Sequence, residues 1–191
     1  MIFLDIETQN DWSGEDIFRI EEMRVSYVGV IDDEGREYDF WEDDMDNLMK
    51  LMSLSDMIVH YNGFTFDMPV LANYLGDTVL KLPQLDLMVA VAKKIGFRPK
   101  LDDLTKATLG HGKIGKGYDA VKYWASGDLE NLKKYCLEDV RLTRQIYEYG
   151  IQNGSIKYFD KNGFLTETDI DWSLGERVAS KSEDEDVISM F

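Results

Sequence analysis

The alternation of apolar and polar positions divides the 191-residue chain into short strands and amphipathic helices. Met1-Ile2-Phe3-Leu4-Asp5-Ile6-Glu7-Thr8 is apolar enough for a buried β-strand, in which successive side chains point to opposite faces. Residues 23–30 and 37–41 read as two further strands joined by Asp32-Asp33-Glu34-Gly35, a turn rich in the residues hairpins prefer. Met45, Leu48, Met49 and Met52 recur at helical spacing and predict a short helix over 44–52, its methionines serving as core. A strand over 57–61 runs through Asn62-Gly63 to a helix start ahead of Met68-Pro69-Val70-Leu71. Leu85-Asp86-Leu87 reads as a short buried strand feeding a helix through Ile95, where Asp86 is open to two roles, helix N-cap or support for a nearby site. Asp128 caps a long helix predicted to end near Gly150. Residues 155–172 read as a hairpin around Asp160-Lys161-Asn162-Gly163, packed on the core or extending a groove. Strands interleaved with helices define an α/β chain, expected to form a single domain over 1–175 with the hairpin as an appendage.

Two positions break the apolar pattern of the first strand. Asp5 and Glu7 are two residues apart and so share one face of the sheet, where neighbouring anions raise each other's pKa unless a cation lies between them. Oxygen-only ligands suit Mg²⁺ or Mn²⁺. The plainer alternative is that one carboxylate ends the strand and caps a turn while the other faces water. Asp67, at the start of a helix with Pro69 just inside its first turn, is equally suited to capping. Tyr135 and Asp139, four residues apart, stack on one face of the long helix, with Leu132, Cys136, Val140 and Thr143 as the packing stripe beside them.

The order Asp5-x-Glu7 on a first strand, Asn62-x3-Phe66-Asp67 at a strand-to-helix turn and Tyr135-x3-Asp139 on a late helix resembles the three motifs of the DEDDy branch of the DnaQ-like 3′–5′ exonucleases, in the ribonuclease H-like superfamily. Residues 60–71, His-Tyr-Asn-Gly-Phe-Thr-Phe-Asp-Met-Pro-Val-Leu, are similar to the exonuclease segment of family B DNA polymerases and to the YprB-like group. The resemblance covers about residues 1–150 and implies a ribonuclease H-like fold, a central mixed sheet flanked by helices, with the C-terminal hairpin beyond it. It also implies two Mg²⁺ or Mn²⁺ ions, with Asp5 bridging both, Glu7 and Asp139 completing one site and Asp67 holding the other. Tyr135 would orient the attacking water, because a phenol of ordinary pKa is a poor base. Thr8, Asn62 and Phe66 would grip the terminal nucleotide, Phe66 either by stacking on a base or by filling the core. The expected reaction is hydrolysis of terminal phosphodiesters of single-stranded nucleic acid, DNA favoured over RNA, to nucleoside monophosphates. Two other readings are a non-catalytic nucleic-acid- or partner-binding module, against which the full carboxylate set argues, and a ribonuclease H-like endonuclease, in which Tyr135 has no evident task.

Charge complicates this picture. A net charge of −16 opposes phosphate binding, but residues 93–116 hold seven basic side chains against two acidic ones, a local +5 that leaves −21 on the remainder. Within that stretch, His111-Gly112-Lys113-Ile114-Gly115-Lys116-Gly117 is either a solvated surface loop or one whose Lys113 and Lys116 close on a phosphate backbone. One cysteine excludes an internal disulfide, and the absence of a leader or a long apolar run leads to the expectation of a cytoplasmic protein without a membrane partner. Residues 180–191 are acidic and end on Phe191, an expected disordered tail that either solubilises the chain or docks a protein partner.

Overall fold

The computed structural model describes residues 1–10, 19–113 and 118–177; Lys116 and the acidic tail lie outside the described residues. Strand β1 (Ile2–Thr8) is central, and its alternation decides the layering of the whole fold. Ile2, Leu4 and Ile6 enter one core, while Phe3 enters a second core on the opposite face, the face that also carries Asp5 and Glu7. The neighbouring β2 (Val25–Asp32) is buried along its whole length, as a strand covered on both faces must be. It pairs antiparallel with β1 and with β3 (Glu37–Phe40), the hairpin expected around the Asp32–Gly35 turn, shifted by two residues at its start.

The chain then crosses to the far side of β1. Helix α1 (Met45–Ser53) buries Met45, Leu48 and Met52 under the first face. It leads to β4 (Ile58–His60), parallel to β1, and α2 (Asp67–Leu75) leads on to β5 (Gln84–Asp86), parallel to β4. Helices α3 (Leu87–Ile95), α4 (Leu101–Leu109), α5 (Tyr118–Ser126) and α6 (Leu129–Asn153) supply the second face. The hairpin β6 (Ser155–Phe159) and β7 (Leu165–Asp169) follows, and the two-residue β8 (Glu176–Arg177) closes the edge beyond β5. The sheet order is β3-β2-β1-β4-β5-β8, a mixed sheet between two helical layers, with the hairpin as a separate two-stranded ribbon. Among the described residues no helix is long and apolar enough to cross a membrane.

The hairpin packs on the core. Thr108 on α4 donates its hydroxyl to the Lys157 carbonyl at 2.6 Å and accepts the Lys157 N–H at 3.2 Å, and Lys94 reaches Asp169 at 2.5 Å. The long helix departs from expectation at its end. Gly150 lies inside α6, which runs to Asn153 and is capped by Gly154 at φ +66°. Gly150 is there for contact: a Cβ on it would lie 2.5 Å from the Trp172 ring, which covers α6 and donates its indole N–H to the Tyr147 carbonyl at 3.2 Å. Helix α4 falls inside the basic stretch, with Leu101, Leu104, Thr105 and Thr108 buried.

Candidate functional site

Three chain segments meet where β4 leaves β1. The two strands pair only at Ile2–Ile58 and Phe3–Val59, so the C-terminal half of β1 has no strand on that side. A buried N–H left there needs an acceptor. Asp67, the first residue of α2, supplies it: its Oδ1 accepts the Ile6 N–H at 3.2 Å, and the residue is 4% exposed. The capping role considered for Asp67 is not the one it takes, because Phe66 occupies the N-cap and makes no side-chain cap.

Helix α6 approaches from the other face over Gly29, the partner of Asp5 across the β1–β2 ladder. A Cβ on Gly29 would lie 3.1 Å from Leu137 and 3.2 Å from the Cys136 sulfur, so the missing side chain lets the helix settle close to the sheet. The Cys136 thiol then donates to the Asp5 carbonyl at 3.3 Å and lies 3.6 Å from the Asp5 carboxylate, while Tyr135 and Asp139 are both buried on the same helix. Donor atoms of Asp5, Glu7 and Cys136 lie within 4.8 Å of one another. Asp67 and Asp139 flank this trio, each drawn to its own partner. Asp139 Oδ2 receives the Lys113 ammonium at 2.5 Å, and Lys113 is itself held by its N–H to Asp102 at 2.9 Å.

The electrostatics follow from burial. Desolvation first, then Asp67, Asp139 and Glu7, push the Asp5 carboxyl well above its ordinary pKa, and desolvation followed by Asp139 does the same to Glu7. Burial raises Asp67 to about 6, against the opposing pull of His60 and the Ile6 N–H. Asp139 is also raised by burial, with Lys113 counteracting. Burial works to lower the Lys113 pKa, but Asp139, Asp5 and Glu7 outweigh it and the amine stays charged. Tyr135 is pushed upward by burial and by Asp139, so its hydroxyl keeps its proton near neutral pH. One ammonium therefore serves several carboxylates. Asp139 Oδ1 is buried without a hydrogen-bond partner, and the Glu7 carboxylate accepts no hydrogen bond among the described residues. Carboxylate oxygens without a hydrogen-bond partner suit a hard divalent cation; Asp5 and Glu7 already stand within the 4.8 Å group, while Asp67 and Asp139 lie outside it.

Of the remaining expected residues, Asn62 lines the cleft above Asp5, and Thr8 and Phe66 are not among its lining residues. Thr8 is buried at the end of β1 and donates its hydroxyl to the Asn10 carbonyl at 2.8 Å. Asn62 stands at φ +68° and offers its Oδ1 to Thr65 at 2.8 Å and to Arg98. Phe66 packs partly buried against the α1–α2 core, the filling role rather than a solvent-facing one. Asp86 caps α3 by accepting from Met88 and Val89, and also takes the N–H groups of Asn62 at 2.9 Å and Phe64 at 3.1 Å, so it shapes the loop before Asp67. Burial acts to raise its pKa, but His60 at 3.5 Å and those N–H groups hold it below the usual value. A cleft of about 770 Å³ opens over Asp5 and Lys113 and is walled by Tyr61, Asn62, Arg98 and Lys100. Arg98 counted in the sequence only as charge, and Cys136 only as packing; their places beside Asn62 and Asp5 join residues 36 and 131 positions apart, which no local pattern reports.

A mixed sheet of this order, with an acidic cluster at the end of its central strand and a cleft above it, is a ribonuclease H-like fold. The RNase_H_2 family model, described as RNase_H superfamily, matches residues 2–151, and the chain belongs to that superfamily. In solved structures the fold is similar to the family B DNA polymerase from the hyperthermophilic archaeon Pyrobaculum calidifontis, with a TM-score of 0.60 and 22% identity over 78% of this chain. The match takes in 24% of that polymerase, so this chain spans about a quarter of its length. Among curated proteins none matches this chain.

Proposed function

We propose that this protein is a divalent-metal-dependent 3′–5′ exonuclease acting on single-stranded nucleic acid, DNA in preference to RNA. The observation that carries the reading is the buried grouping of Glu7, Asp139 and Tyr135 around Asp5, which itself lines an open cleft, with oxygens on Glu7 and Asp139 that have no hydrogen-bond partner within the described residues. Asp5, Glu7 and Asp139 would hold one Mg²⁺ or Mn²⁺ ion, and Asp5 with Asp67 a second. Such ions supply activation of the attacking water and charge stabilisation at the departing oxygen. The residues do the rest. Tyr135, still protonated, donates its hydroxyl to the water and sets its line of approach to the terminal phosphorus. The water oxygen bonds to phosphorus and gives up a proton to solvent, the bond to the preceding 3′ oxygen breaks, that oxygen takes up a proton from solvent as a hydroxyl, and a nucleoside 5′-monophosphate leaves. Lys113, beside Asp139, is available to a phosphate oxygen once a divalent ion takes over its carboxylate.

A second reading, a strand-binding module without turnover, draws on the same contact: the Lys113 ammonium already neutralises part of the cluster without metal. A strand labelled at its 5′ end and incubated with Mg²⁺ or Mn²⁺ separates the possibilities. A ladder shortening one nucleotide at a time, lost in Asp5→Asn, supports the exonuclease. Internal cuts point to an endonuclease of the same fold, and retention without cleavage in either metal rules out turnover.

A further inference from the structure

Beyond Asp5 the cleft continues along the loop that joins α3 to α4, and two cations stand on it. Arg98 is exposed yet held. Its Nη2 donates to Asn62 Oδ1 and, at 3.2 Å, to the Thr65 hydroxyl, while Nε points to the Met88 sulfur at 3.3 Å. Nη1 makes no hydrogen bond among the described residues. Two positions on, exposed Lys100 has neither a side-chain hydrogen bond nor an ion pair among them. The loop between is pinned, because Pro99 is buried and its carbonyl accepts the Tyr61 hydroxyl at 2.8 Å.

Charge gives this arrangement its direction. In a chain of net charge −16 a polyanion is repelled at long range, so affinity must come from cations at the contact itself. Arg98 and Lys100 have no carboxylate partner among the described residues, and Asp102, the nearby acid of the cleft, is already bridged by Lys106 at 2.5 Å. A guanidinium fixed on one side with N–H donors left on the other suits a phosphate, and the volume of about 770 Å³ is of small-ligand size, too small to enclose a duplex. Arg98 also braces Asn62, in the loop leading to Asp67, so a phosphate seated on it is registered against the carboxylates.

We propose that Arg98 and Lys100 form a backbone-phosphate site for the nucleotides on the 5′ side of the terminal one, so that the cleft takes a single strand of at least three nucleotides. The inference rests on the exonuclease reading for the direction of the strand. A dinucleotide contains only the scissile phosphodiester and cannot reach this site, whereas a decanucleotide can. In Arg98→Gln the ratio of kcat/KM for the decamer to that for the dinucleotide falls about tenfold, mostly through KM, and Arg98→Lys recovers most of it. In EDTA, the slope of log affinity against log salt for the decamer decreases by about 0.7 per cation removed. Lys100→Gln, which removes no side-chain hydrogen bond or ion pair among the described residues, gives the same decrease and guards against a misfolded Arg98 variant. Equal losses on both substrates, or a salt slope unchanged in both variants, overturn the proposal. If the wild type binds with an Arg98-dependent slope but cleaves nothing, the exonuclease reading falls and this site stands; if it cleaves with a slope indifferent to both residues, the reverse holds.

Discussion

Replacing Asp67 by Asn tests whether the acidic centre is a site of stored electrostatic cost. Asn keeps a carbonyl oxygen to accept the Ile6 N–H, so the substitution removes charge while preserving the bond that fills the gap beside β1. The Asp67 pKa is about 6 in the fold, against about 3.9 for an unfolded aspartate. A carboxyl whose folded pKa is raised binds its proton more tightly when folded. Its ionisation therefore costs nothing well below pH 4, weakens the fold progressively between about pH 4 and 6, and costs its full amount above that. Linkage puts that cost at about 1 kcal/mol near pH 4.5 and about 3 kcal/mol near pH 7.5. Urea unfolding in EDTA should find Asp67→Asn more stable than wild type, with the advantage growing by about 2 kcal/mol between those two pH values. Relief of Asp5, whose pKa Asp67 also raises, acts in the same direction. Saturating Mn²⁺ at pH 7.5 should stabilise the wild type and do less for the variant, which lacks one of the proposed ligands. An advantage independent of pH, or a variant less stable in EDTA at pH 7.5, would refute the reasoning.

Asp5→Ala with Glu7→Ala should abolish turnover on a labelled strand and raise the metal-free Tm, since both carboxyls are raised by burial, with Asp67 and Asp139 adding to it; retained activity would remove them from the site. Lys113→Met should tighten Mn²⁺ binding about tenfold by titration calorimetry without nucleic acid, because the ion no longer displaces an ammonium whose hydrogen bond to Asp139 is of the roughly 1.5–3 kcal/mol kind. Unchanged or weaker binding would show that the ion does not displace Lys113 from Asp139. Gly150→Ala should destabilise by about 1–2 kcal/mol in urea: overpacking against Trp172 at 2.5 Å outweighs the gain of up to about 1 kcal/mol that Ala brings to a helix interior. A more stable variant would show that Trp172 is loosely held.

Features carried by local periodicity were legible before any coordinates. The two-residue period of β1 set Asp5 and Glu7 on one face, Asp128 marked the start of α6, and Asp160 with Gly163 marked the hairpin turn. Asp86 took the capping role, and the structure adds its hold on the Asn62 loop. What escaped depends on contacts far apart in the chain. Gly150 reads as a helix stop until Trp172 is found lying on it. The charge count over residues 93–116 hid α4, whose buried Leu101, Leu104 and Thr108 carry a helical period through the lysines. Lys113 looked like a residue of a flexible loop, yet its ammonium is drawn to Asp139, 26 positions away. Cys136, a packing residue by pattern, touches the Asp5 carbonyl because Gly29 leaves room for the helix.

The hydrogen bond from the Ile6 amide to Asp67 turns one peptide group into a native probe of the centre. Its donor belongs to the backbone of β1, and its acceptor is a carboxylate whose charge changes with pH. The ¹⁵N and ¹H resonances of that single amide should therefore trace a titration curve centred near pH 6 in metal-free protein. They should shift again on addition of a diamagnetic ion such as Mg²⁺, which allows occupancy to be followed with no label beyond the isotope.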